Sequence, residues 1–296
     1  MDYTVKNRDI CLKIDGDFII SQTLECGQCF NFNKLDEEDY VVTAFGRALH
    51  IYSRNRNIVF EDTTKEEFEK IWVDYFDLTR DYGKIKALLS KKDETLKKAL
   101  EYAPGIRIIN QDFFQCLISF IISQNNRIPM IKKVVSNLSK KYGEYIKTIE
   151  GEDYFSFPTP EKLYGVSGDE LMECKTGFRG KYIADAVTKY VEGSLNHENF
   201  KNLTTKEVQA LLMGIHGVGP KVADCVMLFS LNRSDAFPTD VWVKRIMSYF
   251  YFDQKDAPIK DIHSLADEKF GKYAGFAQQY LFNYARQFKI GTGKDA

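Results

Sequence analysis

Residues 214–225 read GIHGVGPKVADC, and the run continues VMLFSL to residue 231. Three glycines and a proline around one turn mark a place where backbone must approach something closely. Pro220 suits the first position of a helix, where its missing N–H is not needed. Lys221 then falls in the first helical turn, where the positive end of the helix dipole disfavours a cation. The helix that follows is apolar nearly all round (Val222, Ala223, Val226, Met227, Leu228, Phe229), as expected of a buried central helix. Desolvation and the dipole both favour the neutral, nucleophilic form of an amine so placed. The structural alternative is that Lys221 reaches solvent and pairs with Asp224 at i+3.

The glycines favour chemistry over that alternative. Backbone N–H groups of Gly217, Val218 and Gly219, feeding a helix N-terminus, form an anion site suited to a phosphate. A nucleophilic amine beside a phosphate site points to reaction at a sugar–phosphate backbone. A second piece stands at AFPTDVWVKRIM (236–247), where Asp240 follows Pro238 and Thr239 and precedes a helical run. Asp240 reads as an N-cap, and a capping carboxylate at the mouth of a cleft can also stabilise a developing cation or shuttle protons.

Working outward, residues 39–61 (DYVVTAFGRALHIYSRNRNIVFE) carry β-branched runs broken by Gly46 and by RNRN, a strand-and-turn pattern. Before them, FIISQTLECGQCFNF (18–32) reads as an extended segment, a turn around Gly27 and another strand. Helical patterns begin near residue 64, and APGIRIINQD (103–112) marks a boundary with Asn110 or Asp112 available to cap the next helix. Beyond it the chain reads helical almost to its end. The expected class is α+β, with an N-terminal antiparallel sheet domain and flanking helices over 1–104 and a mostly helical domain over 105–296.

A 44% hydrophobic content over 296 residues is ample for a globular core, and 22 Phe and 17 Tyr leave aromatics to spare for stacking or wedging. A net charge of −1 argues against a uniformly basic nucleic-acid surface and leaves local patches, such as the six basic residues that face one acid in 123–147. Neither a basic-then-apolar leader pattern nor a stretch of membrane-spanning length is present, so cytoplasmic residence with no membrane partner is expected. The six cysteines are expected to stay reduced. Cys26-x-x-Cys29 lacks the second pair or clustered histidines of a zinc site, with His50 the closest, and no metal is expected.

With lysine, hairpin and aspartate in hand, the pattern becomes recognisable. A helix-hairpin-helix (about 207–230), Gly-Val-Gly-x-Lys, then Pro-x-Asp-Val nineteen residues after the lysine resembles the helix-hairpin-helix–Gly/Pro–Asp DNA glycosylase superfamily. ECGQCFNF, FIISQNNRI and YAGFAQQYLF make it look most like the 8-oxoguanine branch. The resemblance implies a bifunctional repair enzyme acting on double-stranded DNA, a monomer, with no cofactor beyond a structural cation at the hairpin. It implies that Lys221 forms a Schiff base at C1′ and that Asp240 stabilises the oxocarbenium-like charge. By the same resemblance Gly27 presents a backbone carbonyl to the lesion, Gln278 reads its Watson–Crick edge, and Phe282 and Cys225 cover its two faces. Asn125 would fill the gap opposite the orphan base, Phe178 would wedge, and Arg179 would read that base. Gly217, Gly219 and Val241 would meet the DNA backbone.

Four positions depart from the pattern. His216 stands where the superfamily commonly has proline, Trp242 where eukaryotic relatives usually have histidine, Met130 in place of a second orphan-base arginine, and Phe178 in place of tyrosine. Loss of an arginine should relax discrimination for the base opposite the lesion. The competing expectations are a glycosylase for alkylated bases or oxidised pyrimidines, a non-catalytic DNA-binding module, and a Schiff-base enzyme for small carbonyl compounds.

Overall fold

The computed structural model describes residues 1–13, 16–195 and 197–292. Six strands, β1 (Tyr3–Lys6), β2 (Asp9–Lys13), β3 (Phe32–Asp36), β4 (Asp39–Ala44), β5 (Arg47–Arg54) and β6 (Asn57–Glu61), form one antiparallel sheet in the order β1-β2-β6-β5-β4-β3. The RNRN turn puts Asn55 and Arg56 at φ 51° and 61°, so two successive left-handed residues close β5 onto β6. One face of the sheet buries Ile10, Tyr40, Val42, Ile51 and Phe60 against Phe68, Trp72, Tyr75 and Phe76 of the helical segment 65–75 and its C-terminal end.

The helices Tyr82–Lys92 and Glu94–Tyr102, which the sequence groups with the sheet, bury Leu89, Leu96 and Ala99 in the helical core instead. The central helix, Phe113–Ser123, is buried from Phe113 to Ile122 and is capped by Asp112, which accepts from Gln115 N at 2.8 Å. It packs against Pro220–Ser230, with Phe120 and Phe229 stacked at 5.5 Å. Among the described residues, no helix is long and apolar enough to cross a membrane.

Two expectations need correction. Residues Ile20–Leu24 form a short helix rather than an extended segment. The cause is distant in sequence: the Glu38 carboxylate, from the β3–β4 turn, accepts from Ile20 N at 3.0 Å and Ser21 N at 3.2 Å and so caps the helix. The helical half also contains a hairpin, β7 (Tyr145–Ile149) and β8 (Glu152–Phe155). Its turn, Glu150 at φ 50° and Gly151 at φ 79°, is the primed type that favours hairpins. Ile149 and Tyr154 cover Val41 and Ala48 on the second face of the sheet.

Candidate active site

Gly27 sits where the two cores meet. Cys26 belongs to the helical core and Cys29 to the sheet core, so the turn between them spans the junction. Gly27 has φ +83°, and a Cβ there would lie 3.1 Å from Phe282 Cε1. A side chain is therefore disfavoured twice, by backbone conformation and by a tight contact.

The turn is held on every side. Gln28 is fully buried and donates to the carbonyls of Thr23 and Arg107, each at 2.7 Å, while its own Oε1 accepts from Ile109 N. Gln111 donates to Gln28 O at 2.8 Å, and Gln279 donates to Cys26 O at 2.9 Å. Burial pushes the Cys26 thiol up to about 11 and raises Cys29 further, so both are neutral. Their sulfurs lie near the Thr23 and Leu24 carbonyls, and all six cysteines are free thiols. Gln28, Gln111 and Gln279 escaped the sequence reading. The one signal, for Gln28 and Gln279 alone, is the pairing of ECGQC with AQQ, two segments that are bonded to each other.

The hairpin follows the helix Thr205–Met213, whose Thr204 and Glu207 form a reciprocal capping box. Gly217, at φ +79°, turns the chain against Tyr182, leaving no room for a Cβ. His216, in place of the common proline, has its backbone N–H bonded to Asp185 and its ring edge-on to Tyr182 at 4.9 Å. Tyr182 in turn meets Phe178 at 5.8 Å, so an aromatic row links the hairpin to the expected wedge. Gly219 is the N-cap of Pro220–Ser230 and supplies no side-chain acceptor, which leaves first-turn N–H groups for an anion.

Lys221 is half-buried, its Nζ 5.2 Å from the Phe120 ring centroid. Asp224 does not serve as its partner: that carboxylate is buried and accepts from Gln209 Nε2 at 2.5 Å. Burial raises Asp224 to about 7. Cys225, one turn after the lysine, is buried and pushed up to about 11 by desolvation, against the pull of the nearby Lys221 charge. It is a neutral thiol and offers an apolar wall. Asp240 is half-buried and caps Val241–Tyr251, its Oδ1 accepting from Val243 N at 2.8 Å.

One pocket is lined by Gly27, Lys221, Cys225, Asp240, Gln278 and Phe282 together with Phe120, Phe229, Pro238 and Gln279. Six residues expected from four separate stretches of sequence thus meet in one place. Gln278 is 4% exposed, and its Oε1 is buried with no hydrogen-bond partner among the described residues. An unsatisfied buried amide oxygen is costly and calls for a donor from a ligand.

The remaining expected DNA contacts lie outside this pocket. Asn125 is exposed at φ 47°, Phe178 is 55% exposed, and Val241 is 61% exposed. Arg179 lies beside Asn125, donating to the carbonyls of Gln124 (2.8 Å from Nε) and Asn125 (2.9 Å from Nη2). In this structure its guanidinium therefore clamps the Asn125 turn rather than extending free toward an orphan base. Met130, 43% exposed, opens the basic helix Ile128–Tyr142 nearby.

Comparison with known proteins assigns the chain to a family. Residues 12–117 match the family model of the 8-oxoguanine DNA glycosylase N-terminal domain, and residues 118–272 match that of the HhH-GPD superfamily of base excision DNA repair proteins. The chain belongs to the 8-oxoguanine DNA glycosylase family within that superfamily. A solved complex of Clostridium acetobutylicum 8-oxoguanine glycosylase/lyase with duplex DNA carrying cytosine opposite 8-oxoG is 42% identical, covering 98% of this chain and 100% of that one at a TM-score of 0.92. The structure of MBOgg1 with a low-affinity DNA ligand is 43% identical, with coverage of 98% and 100% and a TM-score of 0.93. The N-glycosylase/DNA lyase OGG1 of Arabidopsis thaliana is 30% identical over 275 residues, 88% of this chain and 75% of that protein.

Proposed function

We infer that this protein is a bifunctional DNA repair enzyme that excises 8-oxoguanine from duplex DNA and cleaves the strand at the resulting site. The observation that carries the reading is the convergence of Lys221, Asp240, Gly27, Gln278, Phe282 and Cys225 on one pocket.

The lesion is flipped out of the stack into this pocket. 8-Oxoguanine carries N–H at N7, where guanine has a lone pair, so the Gly27 carbonyl attracts the lesion and repels the normal base. The unpartnered Gln278 Oε1 receives the N–H donors of the Watson–Crick edge. Phe282 stacks on one face of the base, and the neutral Cys225 covers the other.

As the C1′–N9 bond breaks, the electron pair leaves with the base, which takes up a proton. Lys221 Nζ, once deprotonated, bonds to C1′ and loses a further proton, and Asp240 stabilises the positive charge that builds on the sugar. Breaking C1′–O4′, with a proton going to O4′, opens the ring to a protonated imine. That imine acidifies C2′–H, and loss of the proton expels the 3′ phosphate by β-elimination. None of these steps calls for a metal or organic cofactor, and a cation at the hairpin would be structural. Gly217 and Gly219 at the hairpin, and Val241 at the next helix N-terminus, hold the backbone phosphates. Asn125 and Phe178 enter the duplex, and Arg179 fixes the Asn125 turn from which the orphan base is met.

Borohydride trapping tests this directly, using a duplex with one 8-oxoguanine opposite cytosine. Reduction of the imine should give a covalent protein–DNA adduct that is absent for normal duplex and absent with Lys221→Gln. Retained DNA binding with no adduct would reduce the protein to a lyase-free glycosylase or a DNA-binding module, and a base-release assay separates those two.

A further inference from the structure

Gln278, Phe282 and Arg286 are spaced by four and share one face of the helix Ala274–Phe288. The first two line the pocket; Arg286 stands one turn further on, at the end occupied by the Gly27 turn. Its Nη2 donates to Glu25 O at 2.8 Å, and its guanidinium carbon lies 5.6 Å from the Phe282 ring centroid. Nη1 is buried with no hydrogen-bond partner among the described residues. It is also close to Gly27: a Cβ built on that glycine would lie 3.4 Å from Nη1. A buried guanidinium N–H without an acceptor is as anomalous as the orphaned Gln278 oxygen, and the two flank Phe282 on the same helix face.

Guanine and 8-oxoguanine differ at two adjacent atoms. N7 changes from acceptor to donor, and C8 changes from C–H to a carbonyl. A base stacked on Phe282 with its Watson–Crick edge at Gln278 turns its N7/C8 edge toward the Gly27 turn, where Nη1 waits. Resting on the assignment of this pocket to the oxidised purine, we propose that Arg286 is a second lesion-reading residue, whose Nη1 donates to O8 while the Gly27 carbonyl accepts from N7–H. At the C8 position an acceptor for Nη1 exists only on the oxidised base, because guanine would set a C–H against the same donor. The helix then reads three successive features of the base, one residue per turn, and the recognition of oxidation itself is divided between a backbone acceptor and a side-chain donor.

The test compares single-turnover base release from duplexes carrying 8-oxoguanine or 8-thioguanine opposite cytosine. Both bases keep N7–H, and only the atom on C8 changes, from a strong acceptor to a weak one. The wild-type protein should prefer the oxo base. Arg286→Met should slow its release by roughly 10- to 100-fold while slowing the thio base far less, so that the ratio of the two rates collapses. Arg286→Lys, which keeps a cation but not the forked geometry, should fall between them. Thermal melting establishes that each variant is folded, and if the methionine variant is not, the lysine variant supplies the same ratio. Equal slowing of both substrates, or an unchanged ratio, would overturn the proposal and leave Arg286 as a clamp on Glu25. Failure of the wild-type protein to release either base would instead overturn the functional assignment itself.

Discussion

The proposed lesion pocket and the loops proposed to face the orphan base are built on opposite plans. The Gly27 turn is bonded from Thr23, Arg107, Ile109, Gln111 and Gln279, and its neighbouring thiols are buried and neutral. Asn125, Phe178 and Met130 are exposed, and Asn125 relies on a left-handed backbone clamped by Arg179. The pocket is prepared before DNA arrives, which places donors and acceptors without reorganisation at the moment of reaction. On the proposed function, the loops present side chains whose partners lie in the bound duplex. Substitutions in the first region should therefore change the chemistry, and those in the second should change which duplexes are accepted.

The largest effect is expected at Asp240. Asparagine is as good an N-cap as aspartate, so Asp240→Asn should melt within a few degrees of wild type yet lose roughly 10²- to 10³-fold in single-turnover excision. A variant that loses stability and activity together would show that Asp240 serves mainly as a cap. Next, Gly27→Ala meets both a positive φ and the Phe282 ring. Its strain is about 1–2 kcal/mol, and 8-oxoguanine release should fall about 100-fold. Cleavage of a preformed abasic site, which needs no base reading, should be kept; equal loss on both substrates would show that the turn supports the whole cleft.

Met130→Arg probes the other region. The wild-type protein should excise 8-oxoguanine opposite C, A, G and T with modest preference, and an arginine there should add about 1–3 kcal/mol of discrimination for one orphan base. Rates for the four duplexes decide it, and strong dependence on opposite C in the wild type would refute the relaxed reading. The smallest effect on activity is expected at Asp224, which stands outside both regions. Its carboxyl is raised to about 7 in the fold from an ordinary 3.8, so the folded chain holds a proton that the unfolded chain has released between those values. Stability must then fall as pH rises from about 4 to 7, by at most about 4 kcal/mol. Asp224→Asn should flatten that slope in melting curves with little change in excision rate.

The same division explains what could be read from the sequence. Lys221, Asp240 and the hairpin were legible because their signals are local: a proline at a helix start, a cap before a helical run, glycines at a turn. The helix Ile20–Leu24 was missed because its cap comes from Glu38, on a different element. The hairpin at 145–155 was missed because lysine-rich flanks masked an otherwise alternating pattern, although Glu150-Gly151 was a turn signal. Gln28 and Gln279 have no local pattern at all, since a buried amide is defined only by the backbone groups it satisfies. The resemblance to a family placed Gln278, Phe282 and Cys225, which periodicity alone would assign to the core.

One bond in the Gly27 turn also bears on the chain while it is being made. Cys26 O is held by Gln279, 253 positions later in the chain. A ribosome-bound chain can therefore present every strand of its sheet, and Lys221, before the residue that ties down the Gly27 turn has been made. On the proposed function, base selection then becomes possible only once the helix Ala274–Phe288 has emerged and docked on the Gly27 turn.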